Sequence, residues 1–173
     1  MTTLRDLNAC YMESRIGSTI QKEWDKDPRN AFWGVCRAHS HGTMTRRELV
    51  RITLLMIEDS VKLSPKASQD CITELWKWVN GDDSVDLKEV RENARAADAA
   101  AARAAVNEAS FATFSAARAA VNAARVARSD DASEAASHAI AAYLNNYKKI
   151  YSIISCEDVC KYFKDMDKEK VIT

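Results

Sequence analysis

The chain has 173 residues with 25 basic and 25 acidic side chains, so its formal net charge is zero. A balanced chain exerts no long-range pull on a nucleic-acid duplex or an acidic membrane, and any electrostatic recognition must come from local patches. The length suits one domain with a real core. Only four glycines and two prolines interrupt it, so the expected class is all-α, a multi-helix bundle in a single domain over 1–173.

Five cysteines, an odd number, are spread at Cys10, Cys36, Cys71, Cys156 and Cys160. The opening "MTTLRDLNACYMESR" carries acidic residues where a secretory apolar core would sit. Together these point to a reducing cytoplasm. No run approaches the roughly twenty apolar residues that span a bilayer, so no membrane partner is expected.

In chain order, Thr3-Leu4-Arg5-Asp6 reads as a capping box, and Leu4, Leu7, Tyr11, Ile16, Ile20 and Trp24 recur about every four residues. A first helix is predicted to about Asp25. Pro28 starts a second, with Ala31, Phe32, Val35, Cys36 and His39 along one side and Gly42 at its end. Thr45-Arg46-Arg47-Glu48 is another capping box. The third helix that follows it, with Leu49, Ile52, Met56 and Leu63 on a wide apolar face, is expected to be central in the core. Ser64 is predicted to cap and Pro65 to begin a fourth, with Cys71, Ile72, Leu75, Trp76 and Val79 inward; Asn80-Gly81 stops it. These four shorter helices occupy 1–81.

From Ser84 onward glycine and proline are absent. One long Ala-rich helix is predicted over 84–128, packed closely against its neighbours. "RSDDASE" marks a turn, because Ser and Asp side chains compete for backbone hydrogen bonds. C-terminal helices are expected over 131–173. Ile140, Tyr143, Leu144, Tyr147, Ile150, Tyr151 and Ile154 give them an apolar side, and Ser155 with Asp158 caps a final helix carrying Val159, Cys160, Phe163 and Met166.

The Ala-rich tract holds the heptapeptide AARAAVN twice, fifteen residues apart. Alternating steps of four and three pick out Ala102, Ala105, Ala109, Ala112, Ala116, Ala119, Ala123 and Val126. Such a stripe of small residues lets a neighbouring helix approach to the short end of the usual range of about 8–10 Å. At about 100° per residue, Asn107, Phe114, Arg118, Arg125 and Arg128 fall within about 60° of Arg103, on the other side. Between Lys88 and Lys148 there is no lysine, but Arg91, Arg95, Arg103, Arg118, Arg125 and Arg128 are present, opposed up to that point by Glu92, Asp98 and Glu108. Arginine grips a carboxylate or phosphate with a planar, two-pronged donor. Phe111 and Phe114, one turn apart, offer a flat apolar rim. The candidate binding residues are therefore Arg95, Arg103, Asn107, Phe111, Phe114, Arg118 and Arg125. The plainer reading is a solvated helix face whose arginine stems cover apolar neighbours.

Other constellations are weaker. Cys36, His39 and His41 form a loose trio and Cys156/Cys160 lie one turn apart, but zinc needs about four convergent ligands, so no metal site is expected. Isolated His138 has no nucleophile elbow, phosphate loop or H-E-x-x-H motif to give it a role, so neither enzymatic activity nor a cofactor is expected. Asp82-Asp83 and Asp130-Asp131 lie beside turns as capping groups. Trp76 and Trp78 cannot share one helix face, and Trp78 is the candidate interface residue.

Ala9-Cys10, Pro28-Arg29 with Phe32-Trp33, and Trp78-Val79-Asn80-Gly81 followed by Leu87-Lys88-Glu89-Val90-Arg91 and the Ala-rich tract together resemble the alanine-rich immunity proteins of bacteria and phages. The resemblance spans about residues 4 to 128, departing at "LLMIEDSVKL" and in the aromatic tail. It implies a non-enzymatic partner that neutralises a toxin or defence effector protein by binding it. The residues themselves leave open an anionic, nucleotide-like small molecule on the Arg/Phe face, or a helical assembly module; a homo-oligomer is compatible with either.

Overall fold

The computed structural model describes residues 20–62, 64–104, 108–128 and 146–164, and every regular element among them is helical. The helices pack on one another, so the molecule is an all-α multi-helix bundle. In chain order they are α1 (Pro28–His41), α2 (Arg46–Val61), α3 (Lys66–Val79), α4 (Leu87–Ala104), α5 (Glu108–Arg128), a 3-10 turn (Asn146–Lys149), α6 (Ile150–Ile153) and α7 (Cys156–Lys164). The chain divides into two compact units, one of residues 1–44 with 150–173 and one of residues 45–149. The expected turn at 129–133, Leu63, Met166 and the apolar positions 140–144 lie outside the described residues.

In the first unit, residues 20–24 form the end of the expected first helix. Asp27 then caps α1, its Oδ1 accepting from the Arg29 backbone N–H at 2.8 Å, with Pro28 inside the first turn where its missing N–H costs nothing. Ala31, Phe32, Val35 and Cys36 are buried as their spacing predicts, while His39 is only half-buried. Gly34 was not anticipated as a packing position: a Cβ there would lie 3.0 Å from Ile20 and 3.3 Å from the Trp24 ring. Its bareness lets residues 20–24 lie close along α1. Trp24 is buried, meets Tyr151 edge-on at 6.3 Å between ring centroids, and accepts a 2.9 Å hydrogen bond from the Tyr151 hydroxyl at its carbonyl.

Gly42 ends α1 for a reason other than a left-handed turn, since its backbone is extended. The end of α7 approaches it. The Tyr162 carbonyl accepts from the Thr43 N–H at 3.0 Å, and a Cβ on Gly42 would sit 2.6 Å from the Ala38 carbonyl oxygen and 2.8 Å from that of Tyr162. Both obstacles are backbone and cannot swing aside. Gly42→Ala is expected to lower stability by about 1–3 kcal/mol, the usual cost of overpacking, measured as a shift in the urea midpoint. The Ser155–Asp158 cap forms as predicted, with the Asp158 N–H donating to Ser155 Oγ at 3.1 Å, and it sends Val159 and Phe163 of α7 into the core.

The second unit is built from α2 to α5. Thr45 and Glu48 complete their capping box: Glu48 Oε2 accepts from the Thr45 N–H at 2.7 Å, and Thr45 Oγ1 accepts from the Glu48 N–H at 3.3 Å. Beyond it, α2 buries Leu49, Ile52 and Met56 as expected, and also Val50, Leu54, Ile57 and Val61. Thr53, fully buried among them, satisfies its hydroxyl by donating to the Leu49 carbonyl at 2.8 Å. The next start differs from expectation. Ser64 caps nothing ahead of it; its hydroxyl turns back to the Val61 carbonyl at 2.6 Å, and the Pro65 carbonyl opens α3 by accepting from Ser68 and Gln69. At the other end Gly81, at φ 104, lets its own N–H reach the Trp78 carbonyl and that of Asp82 reach Lys77, a Schellman stop.

The largest departure is in the Ala-rich tract. A single helix over 84–128 would hold α4 and α5 end to end, whereas the two lie side by side, each also packing on α3. α5 therefore runs back alongside α4. Asp86 starts α4, its Oδ1 accepting from the N–H groups of Lys88 at 2.7 Å and Glu89 at 3.2 Å.

Candidate functional site

The α4–α5 hairpin carries most of the candidate binding residues, and burial sorts them. On α4 the buried positions are Val90, Ala94, Ala97 and Ala101, a heptad stripe that turns Arg95 and Arg103 to the exposed side. Ala102, expected at the packing face, is exposed. On α5 the stripe members Ala119, Ala123 and Val126 are buried as predicted. Burial extends beyond that stripe to Ala117, Ala120, Val121, Asn122, Ala124 and Ala127, because α5 packs against α2, α3 and α4 at once. Among the described side chains in this half of α5, only Arg118 is exposed and only Arg125 half-buried. The broad arginine face expected there is thus a narrow edge. Asn107 lies outside the described residues, as do the side chains of Phe111 and Phe114.

Two polar residues complete this edge. Asp98 is half-buried; burial raises its carboxyl above the usual range, while the Arg118 guanidinium across the hairpin pulls it back down. Its Oδ1 is enclosed without a hydrogen-bond partner among the described residues. In one continuous helix, residues 98 and 118 would be about 30 Å apart, so this coupling exists only because the chain folds back. Arg118→Gln is expected to move the Asp98 titration to higher pH, followed by the carboxyl carbon shift in NMR. With its folded-state pKa raised, Asp98 favours folding more when protonated, so the variant loses stability as pH rises through that titration. Asn122, the second-copy counterpart of Asn107 in the repeated heptapeptide, is buried and accepts from Arg125 Nη1 at 3.4 Å. The sequence signal for it was the repeat itself.

Opposite in character is a cleft of about 200 Å³ at α3 and the start of α4, lined by Asp70, Glu74, Asp86, Glu89, Cys71 and Val90 among others. Its carboxylates are largely engaged: Asp70 pairs with Lys66, Glu74 with Lys77, and Asp86 caps α4. Burial, with Asp70 and Glu74 beside it, pushes the Cys71 thiol up, so it stays protonated at neutral pH. None of the candidate arginines lines this cleft.

Trp78 is half-buried, with the Arg47 guanidinium over its ring at 5.0 Å and Arg47 in turn paired with Asp83. One face of the candidate interface residue is therefore taken by the protein itself. Among the described residues no group of three or more His, Cys, Asp or Glu converges on a metal position. Cys36 is buried, and His39 Nδ1 lies 3.1 Å from the Met44 carbonyl oxygen. No described helix is long and apolar enough to cross a membrane.

By fold the chain is an all-α protein whose helical hairpin leaves Arg95, Arg103 and Arg118 exposed. Protein-family models, curated proteins and solved structures return no match to it.

Proposed function

We propose that the protein is a non-enzymatic binder of the immunity or counter-defence type, which neutralises a toxin or defence effector by sequestering it against the arginine edge of the α4–α5 hairpin. The observation that carries this reading is the exposure of Arg95, Arg103 and Arg118 on a hairpin that has no lysine after Lys88. Guanidinium groups spaced along an open edge suit a broad acidic protein surface. A small ligand is usually enclosed in a concave pocket, and the described cleft is acidic and is lined by none of these arginines. An anionic nucleotide-like ligand is thus the second reading, and assembly without a small ligand the third.

Native mass spectrometry of the protein purified from its host reads copy number and retained partner together. The expected result is a stoichiometric protein complex. Charge reversal by Arg95→Glu and Arg118→Glu should then slow its association by about tenfold or more, with a salt dependence that shrinks in the double variant. A retained small anion, lost on Arg118→Lys although charge is conserved, would replace this reading with the sponge.

A further inference from the structure

The first unit holds a pair of thiols that the proposed function does not use. Cys156 occupies the first position of α7 and Cys160 follows one turn later. Both are half-buried, neither is in a disulfide, and their thiols are hydrogen-bonded to each other. Residues at this spacing on a helix hold their Cβ atoms about 5–6 Å apart, whereas a disulfide requires about 3.5–4.5 Å. Direct oxidation would therefore unwind the turn that buries Val159 and Phe163. A single bridging atom, with bonds to sulfur of about 2.3 Å as in thiolate metal sites, spans the gap with the helix intact.

The surroundings select among bridging atoms. Burial, the neighbouring Cys160 and the Asp25 carboxylate push the Cys156 thiol up to about 12, so a bound species that leaves net negative charge is disfavoured. A monovalent copper bis-thiolate is such an anion. A monosubstituted trivalent arsenical is not. In R–As(OH)2 two As–O bonds break and two As–S bonds form, each thiol proton leaves with a hydroxyl as water, arsenic stays trivalent and the adduct is neutral. We propose that Cys156 and Cys160 form a two-thiol site for monosubstituted trivalent arsenicals, closed across one turn of α7.

The test uses the full reduced chain and phenylarsine oxide, whose hydrate is the reacting species. Intact mass should rise by one phenylarsenic group less two hydrogens, and peptide mapping should place it on the 156/160 pair. The adduct should resist excess monothiol, be removed by a dithiol, and leave helicity unchanged. Cys156→Ser and Cys160→Ser should each weaken retention by at least about 100-fold through loss of the second, intramolecular bond, while Cys71→Ser leaves it unaltered. Mapping to any other cysteines in the unaltered chain overturns the assignment whatever the variants do. So does equal retention in a serine variant that keeps its helicity, or a disulfide between the pair that forms under mild oxidation without loss of helix.

Discussion

Leu54→Ala should reduce the free energy of unfolding by about 2–5 kcal/mol, since it removes a side chain that is 1 % exposed from the middle of α2 and leaves a cavity behind. The surrounding positions Val50, Ile57 and Val61 are themselves buried, on a helix that packs against both α3 and α5, so collapse into the space is restricted. Urea denaturation followed by helicity should show the midpoint falling with little change in slope. An effect below about 1 kcal/mol would mean that α2 is not central to the second unit.

Ala101→Leu and Ala102→Leu form a sharper pair, because neighbouring residues of the same type are assigned opposite environments. Ala101 is 6 % exposed on the face of α4 that belongs to the packed stripe, and the added isobutyl group there should cost about 1–3 kcal/mol. Ala102 is exposed, and the same change should stay within about 0.5 kcal/mol. The heptad stripe read from the sequence, which holds Ala102 and not Ala101, predicts the reverse order. Chemical denaturation of the two variants side by side thus tests which side of α4 is packed.

The hairpin also decides which arginines are exposed. Projecting α4 and α5 as one helix aligned Arg103 with Arg118 and Arg125 on one broad face. Folding back separates the two phases, exposes Arg95, Arg103 and Arg118, half-buries Arg125, and brings Asp98 under the influence of Arg118. In the complex proposed above, an acidic partner competes with Asp98 for Arg118 and meets Arg95 and Arg103 directly. Loss of affinity on charge reversal at Arg95 should accordingly be at least as large as at Arg118.

Much of the local structure was legible in the chain. The Thr45–Glu48 and Ser155–Asp158 caps, the Asp27-Pro28 start and the Asn80-Gly81 stop all form where they were read, because each depends on hydrogen bonds made within one turn. Most inward positions of the first three described helices follow for a similar reason, since apolar side chains at helical spacing have only one way to leave water together, while His39, Trp76 and Val79 are half-buried. Ser64 was misread because a hydroxyl between two helices serves equally well the end of one or the start of the next. Gly34 carries no local signal and Gly42 only that of a helix end, since both also admit a backbone or ring from elsewhere in the chain.

The sequence by itself determined the all-α class and most of the helix ends, through propensities and caps that act over a few residues. Only the tertiary structure decided that the Ala-rich tract folds back on itself, that the second predicted helix packs with the C-terminal helices α6 and α7, and which arginines remain outside. Alanine favours the helix but is nearly indifferent to which of its sides is buried. The phase of such a helix is set by the neighbours that press against it.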